Sequence, residues 1–290
     1  MKVIRVVFLL LIIGAFSGSV VAQETDQVNE KLRFTAVDIK KQKGNFYFYW
    51  GYNRTNYAKS DISLKGPNYD FTLSDAKAKD LPKEISAEYL DPTRLTIPQF
   101  NFRVGYHIND KYAIAVGWDH MKYQTVNGSK TTISGTIEAS ASQKYQGTYD
   151  NEEVVINHSD FVQMEHSDGF NVLNINVERT DFLWLSQDQK LALGLISGVG
   201  AGLAMPWTHS RVFGTENDDR IHFSGLGAHA YAAIQGTFYK RFFLRATLQV
   251  GFENMWDIAI TPQGDNSAHA EQTIKYLERS VVLGYQFRIF

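Results

Sequence analysis

The chain has 290 residues, a formal net charge of −2 with both signs scattered, and no cysteine. Disulfides, thiolate zinc sites and a lipid-modified cysteine are excluded, and no basic patch marks a nucleic-acid partner. Aromatic residues make up 13%, with 15 Tyr and 19 Phe, which suits both interfacial girdles and binding surfaces.

Residues 1–22 read as an export signal. Lys2 and Arg5 give the positive start, Val6 to Phe16 the apolar stretch, and Val20-Val21-Ala22 a small-residue cleavage site. The apolar stretch is shorter than the ~20 residues of a spanning helix. Residues 23–44 are expected as a periplasmic N-terminal segment, either a tail or a plug, and 45–290 as one domain.

Alternation of apolar and polar residues then predicts strands over 45–54, 96–108, 112–125, 169–185, 191–208, 221–238, 242–258 and 273–290. The run from Arg241 to Trp256 shows the pattern best. Phe242, Leu244, Ala246, Leu248, Val250 and Phe252 share one face, while Arg245, Thr247, Gln249 and Glu253 share the other. Three short polar turns, at Asn109–Lys111, Ser186–Lys190 and Tyr239–Arg241, alternate with long polar segments.

Strands this long, behind an export signal, predict a closed antiparallel transmembrane β-barrel with its apolar face to lipid and its polar face to the lumen. Eight strands are expected, with both termini periplasmic. Ten is the rival count, because Ser60–Lys65 and Tyr69–Ser74 also alternate.

On this reading Phe100, Phe102, Val104, Tyr106, Leu173, Ile175, Val177, Val281, Leu283, Tyr285, Phe287 and Ile289 face lipid. Gln99, Asn101, Asn174, Asn176, Gln286 and Gly194, Gly198, Gly200 and Gly202 face inward, and small inward residues fit a filled lumen. Trp50, Trp207 and Trp256 fall at the outer strand ends. Phe182 and Trp184 break the parity set by Val177, so either a bulge near Thr180 or an early strand end is expected.

The signal, the strand count and the terminal Phe290 resemble the small bacterial outer-membrane β-barrel class. That class includes anchors, adhesin-like surface proteins and lipid A-modifying enzymes. The resemblance implies outer-membrane lipid and lipopolysaccharide as surroundings, and recognition of the last strand, through Phe290, by the barrel assembly machinery. The tail departs from the usual pattern, since Phe290 falls on the polar parity.

Inward charges are expected to form a packed network in which Arg103, Arg245 and Arg288 meet Asp119, Glu178 and Glu253. A proton or ion pathway is the alternative. His120 and Asp119, near the outer end of the third strand, are the best catalytic candidates by comparison with a palmitoyltransferase-like member of the class. Parity puts His120 outward and Asp119 inward. The His-Ser pairs at 158–159, 166–167 and 209–210 cannot act as dyads on a strand, where neighbours point to opposite faces. His209 and His222, around an acidic loop with Glu216, Asp218 and Asp219, are weak metal candidates that match no ligand spacing. No cofactor motif is present.

The two long segments after the first and third strands exceed what a connection requires, and such loops usually serve function. Tyr57, Asp61, Tyr69, Asp70, Phe71 and Asp75 mix acid and aromatic character, and 131–138 and 153–157 read as strands of a raised rim. A surface-binding, adhesive or envelope-integrity role for an unidentified surface ligand is expected first. A lipid A acyltransferase or deacylase, or a narrow solute channel, are the alternatives.

Overall fold

A computed structural model of the chain describes residues 39–82, 98–262 and 264–288, with backbone alone at 218–220. The expected export signal, residues 23–38, the start of the second expected strand at Thr96, and the terminal Ile289 and Phe290 lie outside the described residues. Fifteen strands are described: β1 (Asn45–Tyr57), β2 (Ser60–Gly66), β3 (Tyr69–Ala76), β4 (Ala78–Lys79), β5 (Phe100–His107), β6 (Tyr112–Thr125), β7 (Lys130–Ile137) and β8 (Gly147–Val155). They continue with β9 (Val162–Leu185), β10 (Leu191–Ala204), β11 (Trp207–Val212), β12 (Thr215–Ile221), β13 (Gly225–Phe238), β14 (Phe242–Ala259) and β15 (His269–Arg288).

Eight of these close a ring in the order β1-β5-β6-β9-β10-β13-β14-β15, sealed by thirteen residues of antiparallel register from Asn45↔Arg288 to Tyr57↔Tyr276. The fold is all-β, and the ring has eight strands. Ser60–Lys65 and Tyr69–Ser74 are not wall strands, because β2 pairs only with the top of β15 (Lys65↔His269 to Ile62↔Gln272) and with β3.

At one end the ring strands join through the three expected short turns. Asn109 Oδ1 accepts the backbone N–H of Lys111 and Tyr112, each at 2.8 Å, and so shapes the first. The third turn has Tyr239 and Lys240 at φ 49° and 64°, the left-handed pair of a two-residue hairpin. The other end carries every long connection.

Several limits differ from expectation. The fourth wall strand starts at Val162 instead of Gly169, the fifth ends at Ala204 instead of Thr208, and the sixth starts at Gly225 instead of Ile221. Each revision falls at the loop end, where β9 leaves β10 and takes β11 as its partner. The broken parity after Val177 is a bulge. Register passes from Leu193↔Trp184 to Gly194↔Phe182, so Leu183 is the extra residue and Trp184 returns to the outer face.

The outer face through the ring is an apolar belt. Val116, Ile175, Val199, Ile234, Val250 and Leu283 are all exposed, Leu283 at 63%. Soluble monomers rarely leave so continuous an apolar surface bare, whereas a bilayer requires it. Above the belt the pattern inverts. Ile62, Leu64, Phe71, Leu73, Ile133, Met164, Ile258 and Ile274 point inward as one apolar core. Asp61, Lys65, Asp70 and Lys130 take the outer surface there, or part of it. The wall thus continues past the membrane as a soluble-type sheet.

Candidate functional site

The lumen is built in layers, each set by inward residues two apart on neighbouring strands. At the turn end the segment 39–44 tucks beneath the ring. Gly44 N donates to His107 O at 2.9 Å, and Gln42 Nε2 donates to Ile39 O at 2.5 Å. Both Ile39 and Gln42 are buried, so this part of the N-terminal segment acts as a stopper.

Above it, the Glu178 carboxylate accepts from Tyr47 Oη at 2.6 Å, Tyr231 Oη at 2.8 Å and Arg245 Nη1 at 2.9 Å. Arg245 also donates through Nε to Gln235 Oε1 at 2.9 Å and lies over the rings of Tyr49, Phe243 and Tyr47 at 5.0–5.6 Å. Tyr231 can cross the lumen because Gly198 faces it; a Cβ there would lie 2.3 Å from the phenol carbon Cζ.

The next layer is a bidentate pair. Arg103 Nη2 donates to Asp119 Oδ2 at 2.8 Å and Nη1 to Oδ1. Asn101 and Asn174 donate to the same carboxylate at 2.6 and 2.9 Å. Higher still, Glu278 accepts from Asn101 at 2.8 Å and Glu253 from Tyr276 at 3.4 Å, each leaving one buried oxygen without a partner.

The expected charge network is therefore split. Arg103 meets Asp119 and Arg245 meets Glu178, but Glu253 has no arginine. Arg288 lies at the turn-end mouth and donates to Lys43 O at 2.7 Å, because its strand position is below the last lumen layer. Glu278 was missed, although it shares the parity of Gln286 and was legible by that signal.

Above the charged layers the apolar core fills the bore. Phe71, Phe161, Tyr145 and Phe213 stack at its top, with Tyr145 and Phe161 ring centroids 4.4 Å apart. β7 and β8 arch over it, and the clasp between arch and β9 is electrostatic. Lys144 and Tyr145 Oη both bond the Asp160 carboxylate, the latter at 2.9 Å, which holds its pKa below the usual range. His158 shares a hydrogen bond of 3.1 Å with Thr125, and its pKa is lowered by burial.

His120 and Asp119 are not brought together. Asp119 points into the lumen, whereas His120 lies on the outer side of β6, stacked 5.1 Å from Phe100 with Nδ1 2.8 Å from Asn171 Oδ1. Both Phe100 and His120 are buried, which corrects the expectation that they face lipid. The cause is a bulge of β9 around Gly169, whose missing Cβ would lie 2.7 Å from His120 Cε1. Among the described residues no serine is a hydrogen-bond partner of His120.

His209 and His222 make separate pairs, with Glu216 at 3.1 Å and Asp257 at 3.0 Å. Among the described residues no three His, Asp or Glu side chains converge as metal ligands.

Among solved structures the chain is similar to the outer membrane protein OprG from Pseudomonas aeruginosa, with 9% identity and a TM-score of 0.40 over 86% of this chain and 99% of that one. It is also similar to Ail of Yersinia pestis, solved with the heparin analogue sucrose octasulfate (10% identity, TM-score 0.31, 84% and 99% covered). A third is Neisserial surface protein A (9% identity, TM-score 0.32, 84% and 97% covered). No family model and no curated protein matches the chain. Likeness at this level carries no function across, and the barrel rests on its own register and belt.

Proposed function

We propose that the chain is an outer-membrane barrel that serves as a closed anchor for a stiff surface platform, and that the platform binds a cationic partner. The observation that carries this reading is the inverted upper half, in which the long connections fold as strands around one apolar core. Loops needed only to join strands do not build a core. The loop end is then outermost and both termini are periplasmic.

The two free edges of the platform suggest the partner's charge. β8 presents Asp150, Glu152 and Glu153 on an exposed strand, and β12 has the sequence TENDDRI. Acidic edges resist pairing with like strands, and the same charges attract a basic surface at a rate that falls with salt.

The test is adherence of producing cells to matrix-coated surfaces, compared with cells producing Asp150→Asn/Glu152→Gln/Glu153→Gln. We expect the variant to adhere several-fold less, and the wild type to lose the difference at high salt. Equal adherence at low salt removes the binding role. Lipid A mass spectra from deleted and overproducing cells test catalysis separately, and no acyl-chain shift is expected.

A further inference from the structure

The outer wall holds a cationic pair that the anchor role does not use. Arg54 on β1 and Arg279 on β15 are direct cross-strand partners, and Leu248 continues the same row on β14. Two like charges directly opposed on one face destabilise a sheet unless a counter-charge joins them. Here the side chains turn apart. Arg54 Nη1 donates to Gln99 Oε1 at 2.9 Å and Asn53 O at 3.2 Å, while Arg279 Nη2 donates to Asn56 Oδ1 at 2.9 Å.

Gln99 passes a further bond of 2.6 Å to Asp80, so Arg54 feels one carboxylate at a remove. Neither guanidinium has a carboxylate within ion-pair distance among the described residues. Each keeps free N–H donors.

Their level in the membrane follows from the belt. The unbroken apolar outward run ends at Tyr52 on β1 and at its cross-strand partner Val281 on β15, while on β14 it continues to Phe252. Arg54 lies one outward step above Tyr52, while Arg279 and Lys275 flank Leu277. Cations at that boundary meet the phosphate plane of the leaflet.

Beside the pair the wall is hollowed. A groove of about 1140 Å³ is lined by both arginines and by Leu195, Ala232, Ile234, Ala246 and Leu248. The alanines form its floor, and the Leu and Ile side chains form its walls.

We propose that this groove is a specific lipid site, in which Arg54 and Arg279 hold a phosphate of an outer-leaflet phosphoglycolipid and an acyl chain lies on the alanine floor. An acyl chain suits a groove lined mainly by apolar side chains, and a phosphate accepts the remaining donors of two guanidinium groups bidentately. The site rests on the membrane reading and on the loop end being outermost, not on the binding role of the platform.

The experiment is native mass spectrometry of purified full-length protein refolded with bis-phosphorylated lipid A, dephosphorylated lipid A or phosphatidylglycerol. The wild type is expected to retain one bis-phosphorylated lipid A through detergent stripping and to lose the other two. Arg54→Gln/Arg279→Gln is expected to reduce that retention at least tenfold. Ala232→Phe/Ala246→Phe, which fills the floor and leaves the charges, is expected to do the same.

Folding of each variant is read from the heat-dependent gel shift of an intact barrel. A folded arginine variant that keeps lipid A overturns the site, as does equal retention of the dephosphorylated form. Equal retention of phosphatidylglycerol overturns the glycolipid assignment. Cell adherence is a separate readout, so failure of the platform reading leaves this result distinct.

Discussion

Glu178 shows how single residues close the lumen. Three donors from three strands converge on one buried carboxylate, and among the described residues Arg245 is its only cation. Removing one partner of a buried pair leaves the other charge uncompensated, at a cost of about 3–5 kcal/mol. Arg245→Ala is therefore expected to lower stability by that amount in urea unfolding from liposomes. Tyr47→Phe removes one hydrogen bond to a charged group and is expected to cost about 1.5–3 kcal/mol. An Arg245→Ala loss below that of Tyr47→Phe would show that water enters and the layer is open. A second residue-scale case is Lys240, held at φ 64° in a turn that favours glycine. Lys240→Gly is expected to raise stability by about 0.5–1 kcal/mol. Which residues face inward was legible from parity alone at Arg103, Asp119, Glu178 and Arg245. Their pairing was not, because the partners stand 16 and 67 residues apart and meet only through ring register. Arg288 has the right parity and the wrong height, which period-two alternation does not encode.

Elements inherit a different ambiguity. A strand that is apolar-out in lipid and one that is apolar-in above it both alternate with period two, so alternation alone does not mark where the inversion falls. In β15 the outward series runs Lys275, Leu277, Arg279, Val281, Leu283, and the inward series runs Ala270, Gln272, Ile274, Tyr276, Glu278. The change of sense near Tyr276 is visible only once the neighbours are known. β9 shows the same limit, since its 24 residues are about 80 Å of chain at ~3.3 Å each, far more than the ~9–11 residues that cross a bilayer. Its bulge at Gly169 admits the His120 ring, and Gly169→Ala is expected to displace it. A changed His120 ring shift by NMR, with the ring-strand signals unmoved, would register this, and an unchanged shift would show that the bulge relaxes freely. The clasp between the β7–β8 arch and β9 carries the acid dependence. Burial lowers the His158 pKa, with Lys79 and Arg211 lowering it further and Glu165 opposing them. A histidine with its folded pKa depressed contributes full stability above its unfolded value, near ~6.5, and loses it as pH falls toward the folded value. Protease cleavage of the arch is thus expected to rise as pH drops below ~6.5, and His158→Gln is expected to flatten that rise. Asp160 adds a separate loss at lower pH, since its pKa is also depressed, by Lys144 first.

At the scale of the whole molecule, the described residues form a stack of closures along one axis, which supports the proposed anchor over a channel. Ile39 and Gln42 fill the turn-end mouth, the Glu178 and Asp119 layers cross the bore, and the apolar core fills the upper half. Between Gln42, His107 and Arg245 lies a cavity of about 10 Å³, at or below the ~10–15 Å³ that admits one water. A hydrated ion does not pass such a space. In planar bilayers the wild type is expected to show no steady conductance above background. Deleting the β2–β3 hairpin and the β7–β8 arch removes the top closure and leaves both charged layers, so that variant is expected to stay silent too. Arg103→Ala/Arg245→Ala strikes both layers and leaves the apolar core above them, and it too is expected to stay closed. Only loss of the layers and the arch together with truncation before Asn45, which removes the stopper, is expected to give steady current. Steady steps from the wild type would show that the layers move apart in a membrane, and the anchor would then be a gated pore. Silence from that combined variant would place the barrier in the apolar side chains that the ring strands themselves keep in the bore, Met164, Ile258 and Ile274 among them.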